Sequence, residues 1–268
     1  MAAVDPRIAA CYEIARSACD LARATPPTAV GVKPNGDEAT LADITSQKLI
    51  IEEIRRRFPA DGIKAEEGWP TPLDGTNDIV WHVDPLDGTI NFKRNMGPWA
   101  VSIGVLRGDE IIAGCIVEGT SGDVFTASSG AGAQRNGEAI RVSTTEPVKL
   151  ALAGFDCPYD DPPRMTTTYA AVGSLLKESK ALRCYGSCAV ALCRIATGEL
   201  DVYFVEYGKS WDFAAGTLLV REAGGTVTTW AGQPYHPEHN TQVLATNGIL
   251  HDDVEKLLAA HVATHPTS

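Results

Sequence analysis

The sequence predicts an α+β fold built in layers. Three observations carry that expectation. Two helical stripes open the chain, a block of strand-like runs with short turns follows, and helices alternate with strands from residue 150 onward.

Residues 5–24 place Ile8, Cys11, Ile14, Ala15, Ala18 and Leu21 on one helical stripe, which Pro26 and Pro27 end. A second helix is expected over Asp43–Phe58, with Ile44, Leu49, Ile50 and Ile54 apolar and Pro59 closing it. Residues 78–83 read as a strand. The runs 99–107 and 110–118 read as two more, joined by a turn at Gly108–Asp109, and 123–128 joins the same antiparallel group. In the second half, 150–154, 180–185, 201–206, 226–229 and 241–246 read as extended, while 165–178, 187–197, 211–223 and 249–262 read as helices. The change of pattern divides the chain into an N-terminal α+β subdomain, 1–145, and a C-terminal α/β subdomain, 146–268, joined near Thr144–Val148 without an evident linker.

The chain has 268 residues, enough to bury a full core. No run approaches the ~20 apolar residues of a membrane span. Residues 1–11 lack the basic-then-apolar order of a leader, so a cytoplasmic location is expected. The net charge of −11 disfavours non-specific contact with nucleic acid or an anionic membrane. A phosphorylated substrate would meet a negative protein, a conflict that bound divalent cations resolve. The seven cysteines include no CxxC pair, and they read as reduced, buried thiols rather than a metal cluster.

The strongest chemical signal is Asp84-Pro85-Leu86-Asp87-Gly88-Thr89-Ile90-Asn91-Phe92, directly after an apolar strand. Two carboxylates flank a proline-fixed bend and can point to one side, where hard cations take oxygen ligands, a backbone carbonyl such as that of Leu86 among them. Gly88 and Thr89 then open a helix whose free N–H groups attract phosphate. A plain Asp/Gly turn is the simpler reading. Residues 72–77, Pro-Leu-Asp-Gly-Thr-Asn, nearly repeat the string without a leading aspartate or strand, and they read as a surface turn.

Glu66-Glu67 lies 18 residues before Asp84, either a solvated loop feature or a further pair of acids. Trp211-Asp212 begins an alanine-rich helix, where Asp212 serves as an N-cap, a ligand or both. Asp43, after Thr40-Leu41-Ala42, is explained as an N-cap by itself.

Together these motifs resemble the inositol monophosphatase family, which also includes fructose-1,6-bisphosphatases, histidinol-phosphate phosphatases and nucleotide 3′-phosphatases. The resemblance covers roughly residues 30–228 and implies the layered αβαβα sandwich of that family. It further implies that Glu66, Asp84, Asp87 and Asp212, with the Leu86 carbonyl, hold two or three Mg2+ ions, Asp84 bridging two of them. Thr89 and Asp43 would orient and help deprotonate the attacking water, and Glu67 would support the site. Gly88 and Thr89 would hold phosphate through their N–H groups. Gly186, Ser187, Cys188 and Glu206 would meet the substrate. The implied activity is Mg2+-dependent hydrolysis of an inositol or sugar monophosphate. Histidinol phosphate, fructose 1,6-bisphosphate or a nucleotide 3′-phosphate are the alternative esters, and an idle metal- or phosphate-binding regulator is the non-enzymatic one. Lithium sensitivity and a homodimer are family expectations, and no nucleic-acid or membrane partner is expected.

The sequence departs from the family at three places. Ala65 stands where glycine is usual. Gln47 stands where a glutamate often follows the helix-two aspartate by four. In 203–212, Tyr-Phe-Val-Glu-Tyr-Gly-Lys-Ser-Trp-Asp, the glutamate lies one residue closer to Trp211, which leaves open whether Glu206 or Val205 faces the substrate. Ser187 is equally a helix cap and a substrate contact, and its presence where histidinol-phosphate phosphatases often carry aspartate tilts the reading toward a polyol or sugar phosphate. Lys209 is either a solvated side chain or a contact for a second anionic group. His82 reads as structural.

Overall fold

The computed structural model describes residues 5–32, 38–67, 74–158, 161–239 and 241–261. Residues 72 and 73 of the expected surface turn and residue 262 of the expected last helix lie outside that set, and Asp74–Asn77 form an exposed loop.

Helix α1 (Pro6–Ala24) starts at Asp5, whose side chain caps the Arg7 N–H. A small antiparallel hairpin, β1 (Ala29–Val32) and β2 (Glu38–Thr40), leads into α2 (Leu41–Arg57). The expected start of α2 is corrected: Thr40, not Asp43, is the N-cap. Asp43 is the third helical residue, and its carboxylate reaches back to the Thr40 N–H.

A seven-stranded sheet follows: β3 (Gly62–Ala65), β4 (Ile79–Asp87), β5 (Ala100–Arg107), β6 (Glu110–Glu118), β7 (Val124–Ser128), β8 (Gly132–Arg135) and β9 (Glu138–Ala139), in that spatial order. Only the β3–β4 pair is parallel. The expected strand 78–83 runs on to Asp87, with a register shift between Asp84 and Asp87. Pro85 has no N–H for the ladder, which accounts for the irregularity. The short helix α3 (Thr89–Lys93) follows at once.

In the second half come β10 (Leu152–Asp156), α4 (Pro162–Glu178), β11 (Ala181–Cys184), α5 (Cys188–Ala196), β12 (Val202–Val205), α6 (Ser210–Glu222), β13 (Thr226–Thr228), β14 (Val243–Thr246) and α7 (His251–Ala259). Their sheet runs β11-β10-β12-β14-β13, with β10, β11 and β12 parallel and β14 antiparallel to its neighbours.

The buried side chains form three layers of core. One joins α1 and α2 to the first sheet through Ile14, Ile50, Trp81 and Ile103. The middle layer joins α5 and α6 to both sheets through Leu192, Phe213, Phe125 and Tyr203. The third packs α4 and α7 on the outer face of the second sheet through Leu175, Val254 and Phe204. The result is the αβαβα sandwich. Helix α6 lies close on the first sheet because Gly104 and Gly114 carry no side chain there: a Cβ on Gly104 would stand 2.6 Å from the Ala214 Cβ, and one on Gly114 would stand 3.0 Å from the Ala215 Cα. Of the seven free cysteines, Cys11, Cys19, Cys115 and Cys193 are buried as expected, whereas Cys184 is exposed and Cys157 and Cys188 are half-buried.

Candidate active site

The site begins with strand register. Ala65 pairs with Val83 in the parallel β3–β4 ladder, and the Glu66 N–H continues it by donating to the Val83 carbonyl at 3.2 Å. The next residues, Glu66 and Asp84, therefore emerge side by side at the same end of the sheet. Asp84 Oδ1 accepts the Leu86 N–H at 2.9 Å, which closes the bend around Pro85. Asp212 arrives from the other half of the chain as the third residue of α6, and its Oδ2 accepts the Lys209 N–H at 2.7 Å.

Burial pushes the Asp84 carboxyl well above the usual carboxylate range, and the charges of Glu66, Asp87 and Asp212 push it the same way. Enclosure likewise raises Asp212, with Asp87 and Glu66 adding to it against the Lys209 N–H. Burial carries Asp87 up to about 7, opposed by hydrogen bonds from Ser187 and Ala189. Glu66, Asp87 and Asp212, drawn from three segments of the chain, thus all lie near enough to Asp84 to act on its carboxyl.

Among the described residues, no group of three or more His, Cys, Asp or Glu side chains stands at finished metal-ligand spacing. The donor chemistry nevertheless fits a hard divalent cation. It is oxygen throughout, and its crowded negative charge is what such an ion neutralises.

Each acid is oriented by neighbours. Thr89 Oγ1 lies 3.1 Å from Asp43 Oδ1 and 3.1 Å from the Leu86 carbonyl oxygen. Burial also raises Asp43 above its ordinary range. The Gln47 carboxamide accepts the Glu67 N–H at 2.9 Å and donates to the Glu67 carbonyl, which fixes the Glu66-Glu67 bend and gives the Gln47 departure a physical role. Asp87 sits at the N-terminus of α5. The Ser187 hydroxyl and the Ala189 N–H (2.8 Å) donate to its Oδ2, and the Cys188 N–H donates to Oδ1 at 3.3 Å. Ser187 also caps α5, accepting from the Val190 N–H at 3.3 Å. Gly88 has φ +95°, and a Cβ there would stand 3.0 Å from the Pro98 carbonyl and 3.1 Å from that of Gly186, so the bend brings α3 and the Gly186 turn together.

Val205 is buried in the middle core. Glu206 follows it beyond the strand end, where Arg164 Nε lies 3.7 Å from Glu206 Oε2 and the Arg164 guanidinium stacks 3.8 Å from the Tyr207 ring centroid. Lys209 Nζ lies 4.9 Å from the same ring. His82 is buried and pairs with Glu238 Oε1 at 2.9 Å, in keeping with a structural role. Sequence reasoning missed Asn91 and Asp156 as parts of this framework. Asp156 ends a parallel strand, the edge at which sites gather in such sheets, and that position was the available signal.

The inositol monophosphatase family model matches residues 3–267. The chain belongs to the inositol monophosphatase family. It is therefore a phosphatase of that superfamily, and its relatives carry both phosphatase and other names. It is 36% identical over 226 residues to the inositol-1-monophosphatase of Synechocystis, covering 84% of this chain and 78% of that one. It is 35% identical to the chloroplastic phosphatase IMPL1 of Arabidopsis thaliana across 87% of this chain, and the match spans 64% of that relative's length. It is 38% identical to the Nus factor SuhB of Escherichia coli over 75% of this chain and 74% of that one. The fold superposes on the inositol monophosphatase of Anabaena with a TM-score of 0.85, at 32% identity and 95% coverage of both chains. Among the described residues, no helix of this family member is long and apolar enough to cross a membrane.

Proposed function

We propose that the protein is a Mg2+-dependent phosphomonoesterase acting on an inositol or sugar monophosphate. What supports this reading is an all-oxygen set of acids, with Glu66 and Asp84 side by side at the end of the β3–β4 pair and Asp87 and Asp212 near enough to raise the Asp84 carboxyl, in a chain of this phosphatase family. Magnesium held there would supply Lewis-acid polarisation and cancel charge on the phosphoryl group.

The residues around it have defined tasks. The Thr89 hydroxyl orients the attacking water and passes its proton toward Asp43, whose raised affinity for protons suits a base. The Gly88 and Thr89 N–H groups at the start of α3 hold phosphate oxygens. Glu67, fixed by Gln47, supports Glu66. The Ser187 hydroxyl is engaged with Asp87, so Gly186 and Cys188 offer the turn itself to the substrate, and Glu206 with Arg164 reads its hydroxyls.

Phosphate release from a panel of inositol, sugar, histidinol and nucleotide 3′-phosphates, with Mg2+ and with EDTA, tests the reading. Release from a polyol or sugar ester only with Mg2+ is expected. No release from any ester refutes the enzymatic reading and favours an idle metal- or phosphate-binding regulator.

A further inference from the structure

One peptide unit beside the acids is gripped at both ends. The Tyr185 carbonyl oxygen accepts from Asn91 Nδ2 at 2.9 Å, and the N–H of the next residue, Gly186, donates to Asp156 Oδ1 at 2.6 Å. The two clamping side chains come from different parts of the fold: Asn91 from α3 beside the first sheet, Asp156 from the end of β10 in the second. Asn91 Nδ2 is itself anchored on the Pro98 carbonyl at 2.7 Å. Asp156 is buried, and it also accepts from the Tyr203 hydroxyl at 2.9 Å and the Cys184 thiol at 3.4 Å. A carboxylate is costly to bury without such donors. This one is held where it is by groups whose own positions the core fixes, since Tyr203 is fully enclosed.

What the clamp controls lies one residue on. Gly186 takes φ +65°, and the next three residues point the Ser187 hydroxyl, the Cys188 N–H and the Ala189 N–H at Asp87. A rotation of the Tyr185–Gly186 peptide would swing all three donors together. We propose that Asp156 is a positioning residue which, with Asn91, locks this peptide and so sets the direction in which Asp87 presents its carboxylate to a divalent cation. The proposal rests on the reading of Asp87 as a metal ligand. Partners that orient a ligand from behind typically contribute 10–100-fold to metal affinity.

The test is calorimetric titration of Mg2+ into the wild-type protein and into D156A, D156N, N91A and the D156A/N91A double variant, each with its unfolding temperature in EDTA. D156A and N91A should each weaken Mg2+ binding by about 10-fold or more. The double variant should lose less than the product of the two, because both act on one peptide. D156N keeps an acceptor for the Gly186 N–H and should stay within about threefold of wild type, the equivalent of one neutral hydrogen bond. D156A or N91A binding Mg2+ as wild type does, even at a lowered unfolding temperature, overturns the proposal and leaves the clamp purely structural. Should D156A fail to fold, N91A decides alone. Wild-type protein that binds Mg2+ but releases no phosphate refutes the phosphatase reading while the affinities still decide the clamp. Wild-type protein that does not bind Mg2+ overturns both.

Discussion

The Gln47 carboxamide forms a two-point hydrogen bond with the backbone of Glu67, accepting from its N–H and donating to its carbonyl. A glutamate in that place could keep only the first of these contacts, because an ionised carboxylate donates nothing. Q47E should therefore cost about 1–3 kcal/mol of unfolding free energy, the usual penalty for a buried carbonyl left unmatched. It also adds a negative charge beside the acid pocket. Chemical denaturation with and without Mg2+ checks both effects, and the loss should shrink when Mg2+ is present.

Asp84→Asn and Asp212→Asn should each lower phosphate release by on the order of 100-fold or more, the scale seen when one preorganised electrostatic group is removed. Neither should lower the unfolding temperature in EDTA, since each relieves crowding among acids that already push one another's proton affinity upward. Full activity in either variant would refute the site.

Thr89→Ala removes the hydroxyl that lies 3.1 Å from Asp43 and should cut kcat by roughly 100-fold or more, as expected for loss of a proton-transfer group, with little change in KM. Thr89→Ser keeps the hydroxyl and should recover most of the rate. Steady-state kinetics on the two variants is the check.

Far from the pocket, the Asp61 carboxylate accepts from Arg7 Nε at 2.7 Å, Arg7 Nη2 at 2.8 Å, Asn77 Nδ2 at 2.8 Å and Trp81 Nε1 at 2.8 Å. Burial alone would raise Asp61, but these donors outweigh it and hold the group below the usual carboxylate range. A depressed folded pKa means stabilisation that is complete above the unfolded value of about 3.9 and disappears as the pH falls through the lower folded value. Asp61→Asn should cost about 3 kcal/mol at neutral pH, the low end for breaking a buried ion pair. The gap from wild type should narrow as the pH falls below the unfolded value and through the lower folded one. Unfolding free energy measured against pH reads this directly.

Gly104→Ala places a methyl against Ala214 on α6 and should destabilise the fold by about 1–3 kcal/mol, as overpacking does. Because α6 carries Asp212, Mg2+ binding should weaken as well. Calorimetry on the variant tests that second effect, which simple loss of stability would not produce.

How much of this could be read beforehand depended on where the relevant partners lie. The bend from Asp84 to Thr89 was legible because its carboxylates, glycine and helix start are contiguous, and the stripe of α1 was legible because its burial is periodic. The β1–β2 hairpin and β3 were not: three- and four-residue strands carry little alternation of their own, and the equally short β11 to β14 were legible only through the helices they alternate with. Val205 and Glu206 could not be told apart from spacing, since the answer lies in which side of β12 meets the middle core. Gln47 and Asn91 act on backbone groups of distant segments, and no pattern within their own neighbourhood records that, whereas Asp156 carried one signal, its place at the end of a parallel strand. The start of α2 was misplaced by two residues because threonine and aspartate both cap helices, and only their reciprocal bonding decides which is first.

The Gly104–Ala214 and Gly114–Ala215 contacts have a consequence for biosynthesis. Glu66, Asp84 and Asp87 are translated early, but Asp212 reaches them only after its helix has docked through that glycine seam. A chain emerging from the ribosome, or one cut short before α6, holds an incomplete set of acids. In the proposed centre, the set of acids is complete only once α6 has docked on the first sheet.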